Sequence, residues 1–391
     1  MTTNGLKVLI VDDSDAYRIF LSQVVADIEG VEAVTTASGG RVALAKLKQM
    51  PIDLILLDIE MPYMDGIQTL ERIKALDPDV GVIMVSAFHG DGTRKVIKAL
   101  EMGALDLVSK AELGEDNSIV LTLRRRLMTL IGLHRARRNT RITRQLARKQ
   151  HPKTAEQFAV QLEPFASETG SPVMSGSQVQ ASAKPFPIKS KIEVVAIGVS
   201  TGGPNALTRV IPHLPMDLGV PILLIQHMPA ALTASLAESL DKKSVLSVRE
   251  AVEGEQVLPN TVYVAPGGMH MTVTRNSTGA RLSHFRQIRL NDDPPVNSCR
   301  PSLDVLLQSL RNAYDASVLA VIMTGMGNDG TEGVRLLKSR ECYCLSQSEE
   351  SCVVYGMPRS VDEAGLSNEQ VPLDHMADRI VELVKGHRGT N

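Results

Sequence analysis

Short, uninterrupted apolar runs separated by helix-like patterns are the feature that most constrains the fold of this chain. Near the N-terminus such runs lie at 8–11, 54–57 and 82–85. Apolar runs without alternation are typical of strands buried on both faces of a parallel sheet. Because helical patterns alternate with these strands, the sequence predicts a doubly wound α/β domain. The other predicted elements are a strand at 106–108 and helices at 15–28, 39–49, 66–76 and 93–102.

The same kind of pattern returns in the second half of the chain. Apolar strands are predicted at 194–198, 221–226 and 318–323, each followed by a glycine-containing or polar turn. In open parallel sheets, ligands bind outside the carboxyl ends of the strands. We therefore expect a second, Rossmann-like parallel-sheet domain, with its functional residues where these strands end.

The charge of the chain is segregated, although the net charge of the 391 residues is only −2. Residues 1–123 hold 19 acidic and 11 basic residues, whereas 124–153 hold 11 Lys and Arg and no acidic residue. The segment 154–190 is rich in Ser, Pro, Ala and Gln without a period, which is typical of a flexible linker. The predicted division is a first domain at 1–124, a basic helical segment with a linker at 125–190, and a second domain at 191–391.

Composition excludes several classes of protein. Hydrophobic residues make up 43% and charged residues 22%, as in ordinary globular domains. No apolar run approaches the roughly 20 residues of a membrane-spanning helix, and the N-terminus does not have the pattern of a secretory signal. The four cysteines do not have zinc-site spacing. We therefore expect a cytoplasmic protein with reduced thiols and no membrane insertion.

Polar side chains end the strands of the first domain. Asp12 and Asp13 follow the first strand, Asp58 and Ser86 follow the next two, and Lys110 closes the last. Three carboxylates at one sheet edge repel one another unless a cation neutralises them, and Mg²⁺ prefers such oxygen ligands. A single Asp at a strand end is often only a helix cap. The full set predicts a magnesium-dependent site that handles a phosphoryl group.

Residues 5–124 resemble a response-regulator receiver domain. The resemblance is carried by VDDS at 11–14, LDIEMPYMDG at 57–66, and the Ser86 and Lys110 positions. It implies a flavodoxin-like sheet in which Asp58 accepts a phosphoryl group from a histidine kinase.

The resemblance also assigns roles to the neighbouring residues. It implies that Mg²⁺ is held by Asp13, Asp58 and the backbone carbonyl of Glu60, with Asp12 in support. Ser86 and Lys110 would contact the phosphoryl group and act in the switch.

Two positions depart from the receiver pattern. Ala111 stands where the family usually has a proline, and Leu107 stands where it often has an aromatic residue that moves on activation. The residues needed for phosphorylation are all present, but the aromatic part of the switch is missing.

Three strand ends of the second domain carry a Ser, a His and an Asp. Gly198, Ser200 and Gly202 fit G-x-S-x-G, in which the glycines allow a sharp turn that exposes the hydroxyl. His227 and Asp329 follow the next two strands, so the three side chains can converge as a catalytic triad. Other interpretations stay open at this point: the serine turn also suits a phosphate-binding loop or a helix cap, and a lone histidine is often structural.

The loop at 325–330 also matches G-x-G-x-x-G, the pattern of dinucleotide-binding loops. That fingerprint belongs to the first strand–helix turn of its domain, whereas this strand comes late. The carboxylate of Asp329 within the loop would also repel a pyrophosphate. A nucleotide site is therefore not predicted here.

Five motifs follow one another along the second domain: AIGVSTGGP at 196–204, QHMP at 226–229, VYVAPGGMHM at 262–271, TGMGNDG at 324–330 and SCVVYGMPR at 351–359. With these motifs, the second domain resembles the catalytic domain of chemotaxis protein-glutamate methylesterases.

The resemblance implies a Ser200–His227–Asp329 triad, with the Met326 N–H in the oxyanion hole. It also implies hydrolysis of glutamate γ-methyl esters on methyl-accepting chemoreceptors and deamidation of receptor glutamines. A further implication is that the unphosphorylated receiver covers the catalytic cleft.

Two alternatives of other classes remain at this point. The basic run at 124–153 could contact nucleic-acid phosphates, as in a DNA-binding response regulator, although a charge run is more often a solvated surface. The second domain could instead be a catalytically inactive adaptor. His270 and Met271 could line the cleft or simply pack in a loop.

Overall fold

Parallel strands form the sheet of the first domain, with helices on both faces. The computed structural model describes residues 5–86, 92–110, 127–128, 131–132, 191–278, 283–315, 317–340 and 342–386. Within them, five strands lie in the order β2-β1-β3-β4-β5, and every neighbouring pair is parallel. The elements are β1 Leu6–Val11, α1 Asp15–Ala26, β2 Val31–Ala37, α2 Gly40–Gln49, β3 Leu54–Asp58, α3 Gly66–Leu76, β4 Gly81–Ser86, α4 Gly92–Glu101 and β5 Asp106–Ser109.

The four predicted strands of the first domain are confirmed as β1, β3, β4 and the edge strand β5, and the other edge strand, β2, was not predicted. The runs at 54–57 and 82–85 lie in β3 and β4, which are buried along their whole length. By contrast, β2 has only one buried residue, Ala37, because it lies at the sheet edge. An edge strand with half-exposed side chains lacks the apolar run that identified the others.

The sheet of the second domain is also parallel throughout. Its seven strands lie in the order β14-β13-β12-β6-β7-β9-β8. The strands at its centre are β12, β6 and β7, which contain the three apolar runs of the sequence. Their bounds are β6 Ile192–Val199, β7 Ile222–Gln226, β8 Ser247–Glu250, β9 Thr261–Val264, β12 Ser317–Ile322, β13 Tyr343–Gln347 and β14 Glu369–Val371. The predicted fold class, two doubly wound parallel-sheet domains, is confirmed.

Helices and one hairpin complete the second domain. The hairpin pairs β10 His270–Thr278 with β11 Ser283–Asn291 in antiparallel register. The helices are α5 Gly203–Val210, α6 Ala230–Asp241, α7 Leu303–Ala313, α8 Thr331–Lys338, α9 Met357–Glu363 and α10 Met376–Lys385. Among the described residues, none of the helices has the length and apolar character needed to cross a membrane.

The first domain packs against the second through α4. Glu101 at the end of α4 accepts hydrogen bonds from Ser239 (2.7 Å) and Lys243 (2.6 Å) of α6 with its carboxylate. Its backbone carbonyl accepts from Asn205 of α5 (2.5 Å). Since α5 begins directly after the Ser200 turn, these contacts place the first domain beside that turn.

Candidate functional site

The acidic residues of the first domain meet at one end of its sheet, as predicted. Asp12, Asp13 and Asp58 each place a carboxylate oxygen within 4.8 Å of the others. The ammonium group of Lys110 lies 2.9 Å from Asp12 Oδ2 and 2.7 Å from Asp58 Oδ2. The ammonium group of Lys110 therefore bridges the two buried carboxylates of Asp12 and Asp58.

The electrostatics of Asp58 follow from its burial. Burial raises the pKa of Asp58 to about 6, even though its hydrogen bond and attraction to Lys110 oppose the rise. For Lys110, burial lowers the pKa, but hydrogen bonds to Asp58 and Asp12 outweigh this and leave it raised. Lys110 therefore stays charged near Asp58, where it can stabilise negative charge on an acceptor.

The donor set suits a hard divalent cation. Three carboxylates close together supply the oxygen ligands that Mg²⁺ prefers. The Glu60 backbone N–H donates to Asp58 Oδ1 over 3.3 Å, so the Glu60 backbone also reaches this group. Ser86 ends β4 and is buried, and its strand partner in register is Ser109, next to Lys110. Leu107 is buried, and Ala111 lies outside the described residues.

The serine turn of the second domain is shaped by close packing. Ser200 follows β6, and its N–H donates to the carbonyl of Thr324, which follows β12. A Cβ on Gly325 would lie 2.7 Å from Ser200 Cβ, so only glycine fits there. Gly202 has φ +78°, and a Cβ there would meet Val353 at 2.6 Å. These constraints explain why glycines surround Ser200.

His227 and Asp329 form a direct pair at the same sheet edge. His227 Nε2 lies 2.8 Å from Asp329 Oδ2. The pair forms because β12, β6 and β7 are neighbours, which brings the loops after all three strands together. Gln226 joins two of them: its side-chain NH₂ donates to the carbonyls of Ser200 (3.0 Å) and His227 (3.1 Å).

Asp329 is held by a set of donors that the sequence did not reveal. The Ser302 hydroxyl donates to its Oδ1 (2.7 Å), and the N–H groups of Leu303 (2.6 Å) and Asp304 (3.1 Å) also donate to its carboxylate. These groups belong to the first turn of α7, where the helix dipole favours negative charge. A serine before an apolar helical run is a cap signal, but its carboxylate partner could not be found from local sequence.

The Asp329–His227 pair perturbs both groups. Burial opposes the charged form of Asp329, but hydrogen bonds from His227, Ser302 and the Leu303 N–H lower its pKa to about 2. Burial lowers the pKa of His227, and hydrogen bonds to Asp329 and Cys299 outweigh it and raise the pKa to about 9. The contacts of His227 therefore favour the protonated form of its ring.

The other residues singled out in the sequence fall in distinct places. Met326 follows Gly325 beside the serine turn and packs against apolar residues of the first domain. His270 is buried, and its Nδ1 accepts from the Ser302 N–H, so it supports the loop under Asp329 instead of lining the cleft. The 325–330 loop directs Asp329 at His227. Within the basic run, Leu127 and Ile131 are buried against the core of the first domain, while 133–190 lie outside the described residues.

Comparison with known proteins identifies both domains. Residues 8–120 match the response regulator receiver domain and residues 195–380 match the CheB methylesterase family. Protein-glutamate methylesterase/protein-glutamine glutaminases of Desulfotalea psychrophila and Geobacillus kaustophilus are 40% and 38% identical. Each alignment covers 97% of this chain and 99% of the relative.

A solved structure is similar to the second domain. The Thermotoga maritima CheB methylesterase catalytic domain is 37% identical, covering 50% of this chain and all of that one, with a TM-score of 0.46. The relatives align with this chain over nearly its whole length, through both domains. The chain therefore belongs to the protein-glutamate methylesterase/protein-glutamine glutaminase family, whose receiver and methylesterase domains it carries in that order.

Proposed function

We propose that this protein hydrolyses glutamate γ-methyl esters of methyl-accepting chemoreceptors, and deamidates receptor glutamines, with Ser200, His227 and Asp329 as its catalytic triad. The observation that carries the proposal is the 2.8 Å pair of His227 and Asp329 at the sheet edge where Ser200 also lies. The names of the relatives support the substrate class.

The ring orientation of His227 supports the following proposal for the proton transfers. Since Nε2 is bound to Asp329, Nδ1 is the nitrogen left to take the Ser200 proton as Oγ attacks the ester carbonyl carbon. The protonated ring then returns that proton to the departing methoxide, which leaves as methanol. Water, activated by the same nitrogen, hydrolyses the acyl-enzyme to glutamate and free Ser200. With a glutamine substrate, ammonia leaves in place of methanol.

We assign the oxyanion hole to the backbone N–H of Met326. Gly325 brings this part of the chain into contact with Ser200, as its Cβ position shows. Donors fixed in place before reaction stabilise the developing negative charge without reorganisation, which is often the largest single contribution to catalysis.

Methanol release from methylated receptor tests the esterase proposal. Replacing Ser200 with Ala should remove the nucleophile and reduce turnover to the background rate. Ser244→Ala is the matched control, because the Ser244 hydroxyl only donates to the Leu240 carbonyl at the end of α6. Substantial turnover by the Ser200→Ala protein would show that another group is the nucleophile.

Regulation is assigned to the receiver. Asp58 would accept the phosphoryl group from a histidine kinase, with Asp12, Asp13, Asp58 and the Glu60 carbonyl holding Mg²⁺. When bound, the metal would neutralise charge on the phosphoryl oxygens. Lys110, already within 2.7 Å of Asp58, would stabilise the same charge.

The contacts of α4 with α5 and α6 support a covering role for the unphosphorylated receiver. The esterase rate with and without a small phosphodonor tests it, using Asp58→Asn as the control that cannot be phosphorylated. The phosphodonor should raise the esterase rate of the unaltered protein and leave the rate of the Asp58→Asn protein unchanged. Equal rates, with Asp58 shown to be phosphorylated, would contradict the proposal.

The nucleic-acid-binding alternative is not favoured, because residues 195–380 match a methylesterase family instead of a DNA-binding module. We propose the domain division 1–124, 125–190 and 191–391, and a cytoplasmic location, as the arrangement that suits a kinase donor and a receptor substrate.

A further inference from the structure

The second ring nitrogen of His227 faces a thiol. Cys299 Sγ lies 3.6 Å from Nδ1, within hydrogen-bonding reach for sulfur, while Nε2 is bound to Asp329. Between the described residues Ser200 and His227, no side-chain hydrogen bond is formed. The nitrogen that the proposed reaction needs is therefore occupied by Cys299 in this state.

Cys299 is held in this position by a tight turn. The backbones of Val296 and Cys299 exchange two hydrogen bonds, of 3.1 and 2.9 Å. The two residues between them, Asn297 and Ser298, have φ of 53° and 61°, in the left-handed region that non-glycine residues seldom adopt. Both central residues of a type I′ turn have positive φ, as here. A left-handed backbone at these two residues costs free energy, which contacts with the surrounding structure must offset.

Asn297 supplies that compensation and links the turn to Asp329. Its side-chain NH₂ donates to Asp304 Oδ2 (2.7 Å) and to Asp329 Oδ1 (3.1 Å). The turn that positions the thiol is thus anchored on the same carboxylate that holds the other side of the His227 ring.

Cys299 differs from the other cysteines of the chain. Cys342, Cys344 and Cys352 are buried, whereas Cys299 is half-buried. The groups that perturb His227 come from two loops: Asp329 after β12 and Cys299 before α7. Burial lowers the pKa of His227, and contacts with Asp329 and then Cys299 raise it.

We propose that Cys299 is a positioning residue that occupies Nδ1 of His227 in the resting enzyme, through the 3.6 Å contact of its Sγ, and so withholds this nitrogen from Ser200. The inference rests on the proposed function, because it assigns His227 as the base for Ser200. Only the neutral ring can take the Ser200 proton. A partner that favours the protonated ring therefore restrains the resting enzyme.

The pH dependence of kcat/KM for methanol release, measured on the unphosphorylated full-length protein, tests the proposal. Cys299→Ala should move the acidic limb to lower pH. Its rate should exceed that of the unaltered protein severalfold at neutral pH and converge with it above about pH 9. Cys299→Ser should show a smaller shift of the acidic limb than Cys299→Ala, because the serine hydroxyl oxygen can also accept a hydrogen bond from Nδ1. Cys342→Ala, a buried thiol away from His227, should leave the profile unchanged.

Two results would overturn the inference: an unchanged acidic limb in Cys299→Ala, or an equal loss of rate at every pH, which is what a purely structural role predicts. The Ser200→Ala protein is measured in parallel and supplies the background hydrolysis. If Ser200→Ala keeps its turnover, the proposed triad fails. If Ser200→Ala is inactive while Cys299→Ala keeps the unaltered profile, only the role of Cys299 fails.

Discussion

The hydroxyl of Thr201, the residue after Ser200, donates to Asp106 Oδ2 of the receiver over 3.3 Å. Asp106 begins β5, the strand that leads to Lys110, and Lys110 contacts Asp58. The proposed phosphorylation site and the proposed nucleophile are thus joined through a short strand and one side-chain contact. A change at Asp58 that moves β5 would reach the serine turn directly.

Weakening the α4–α6 contact should activate the resting enzyme. Glu101→Ala removes the carboxylate that binds Ser239 and Lys243. Hydrogen bonds of this kind are each worth about 1 kcal/mol, so losing both should raise the unphosphorylated rate of methanol release by up to about 30-fold.

Lys385→Ala is the control for this contact. Lys385 ends α10 and pairs with Asp217, and both residues lie in the second domain. This substitution should leave the resting rate near that of the unaltered protein. If Glu101→Ala and Lys385→Ala have the same rate, the contact of Glu101 does not restrain the enzyme.

The activity of the resting enzyme should rise with pH through an alkaline range. The pKa of His227 is raised to about 9, so the ring is mostly protonated at neutral pH and becomes a base only as pH rises. We expect the acidic limb of kcat/KM to lie above the ordinary histidine range. A limb at or below the ordinary histidine pKa of about 6.5 would contradict a stabilising contact between Asp329 and the protonated ring of His227.

Gly325→Ala should impair catalysis by displacing Ser200. The added Cβ would lie 2.7 Å from Ser200 Cβ and 2.6 Å from Met357 Sδ, so one of them must move. A displacement of about 1 Å at a reacting group costs on the order of 100-fold in rate. The variant should release methanol slowly but still be phosphorylated at Asp58.

Gly39→Ala is the comparison for that substitution, since a Cβ there meets nothing within 4 Å. Its esterase rate should be unaffected. A Gly325→Ala protein with full activity would mean that the serine turn accommodates the methyl group without consequence.

Magnesium should stabilise the receiver through its acidic cluster. A ligand at 100 times its Kd stabilises the folded state by about 2.7 kcal/mol, which thermal unfolding can detect. Asp13→Asn should weaken the Mg²⁺-dependent rise in Tm, because it removes a carboxylate of the cluster. Asp15→Asn is the control, because Asp15 pairs with Arg18 and lies outside the cluster. Equal Mg²⁺ responses in both variants would place the cation elsewhere.

The positions of the proposed functional side chains were predictable because they follow buried strands. Ser200 and His227 come directly after β6 and β7, and Asp58 ends β3, so local apolar runs were sufficient to place them at sheet edges. The edge strand β2 was missed because its side chains are half-exposed and form no apolar run.

By itself, the sequence determined the fold class, the parallel sheets and the residue types at the strand ends, since these depend on local periodicity. Only the tertiary structure decided that β12 lies beside β6, that α7 donates to Asp329, and that Cys299 reaches His227 across 72 positions. The same holds for the contact of Thr201 with Asp106. These contacts join segments far apart in the chain, and local sequence patterns carry no information about which distant loops meet.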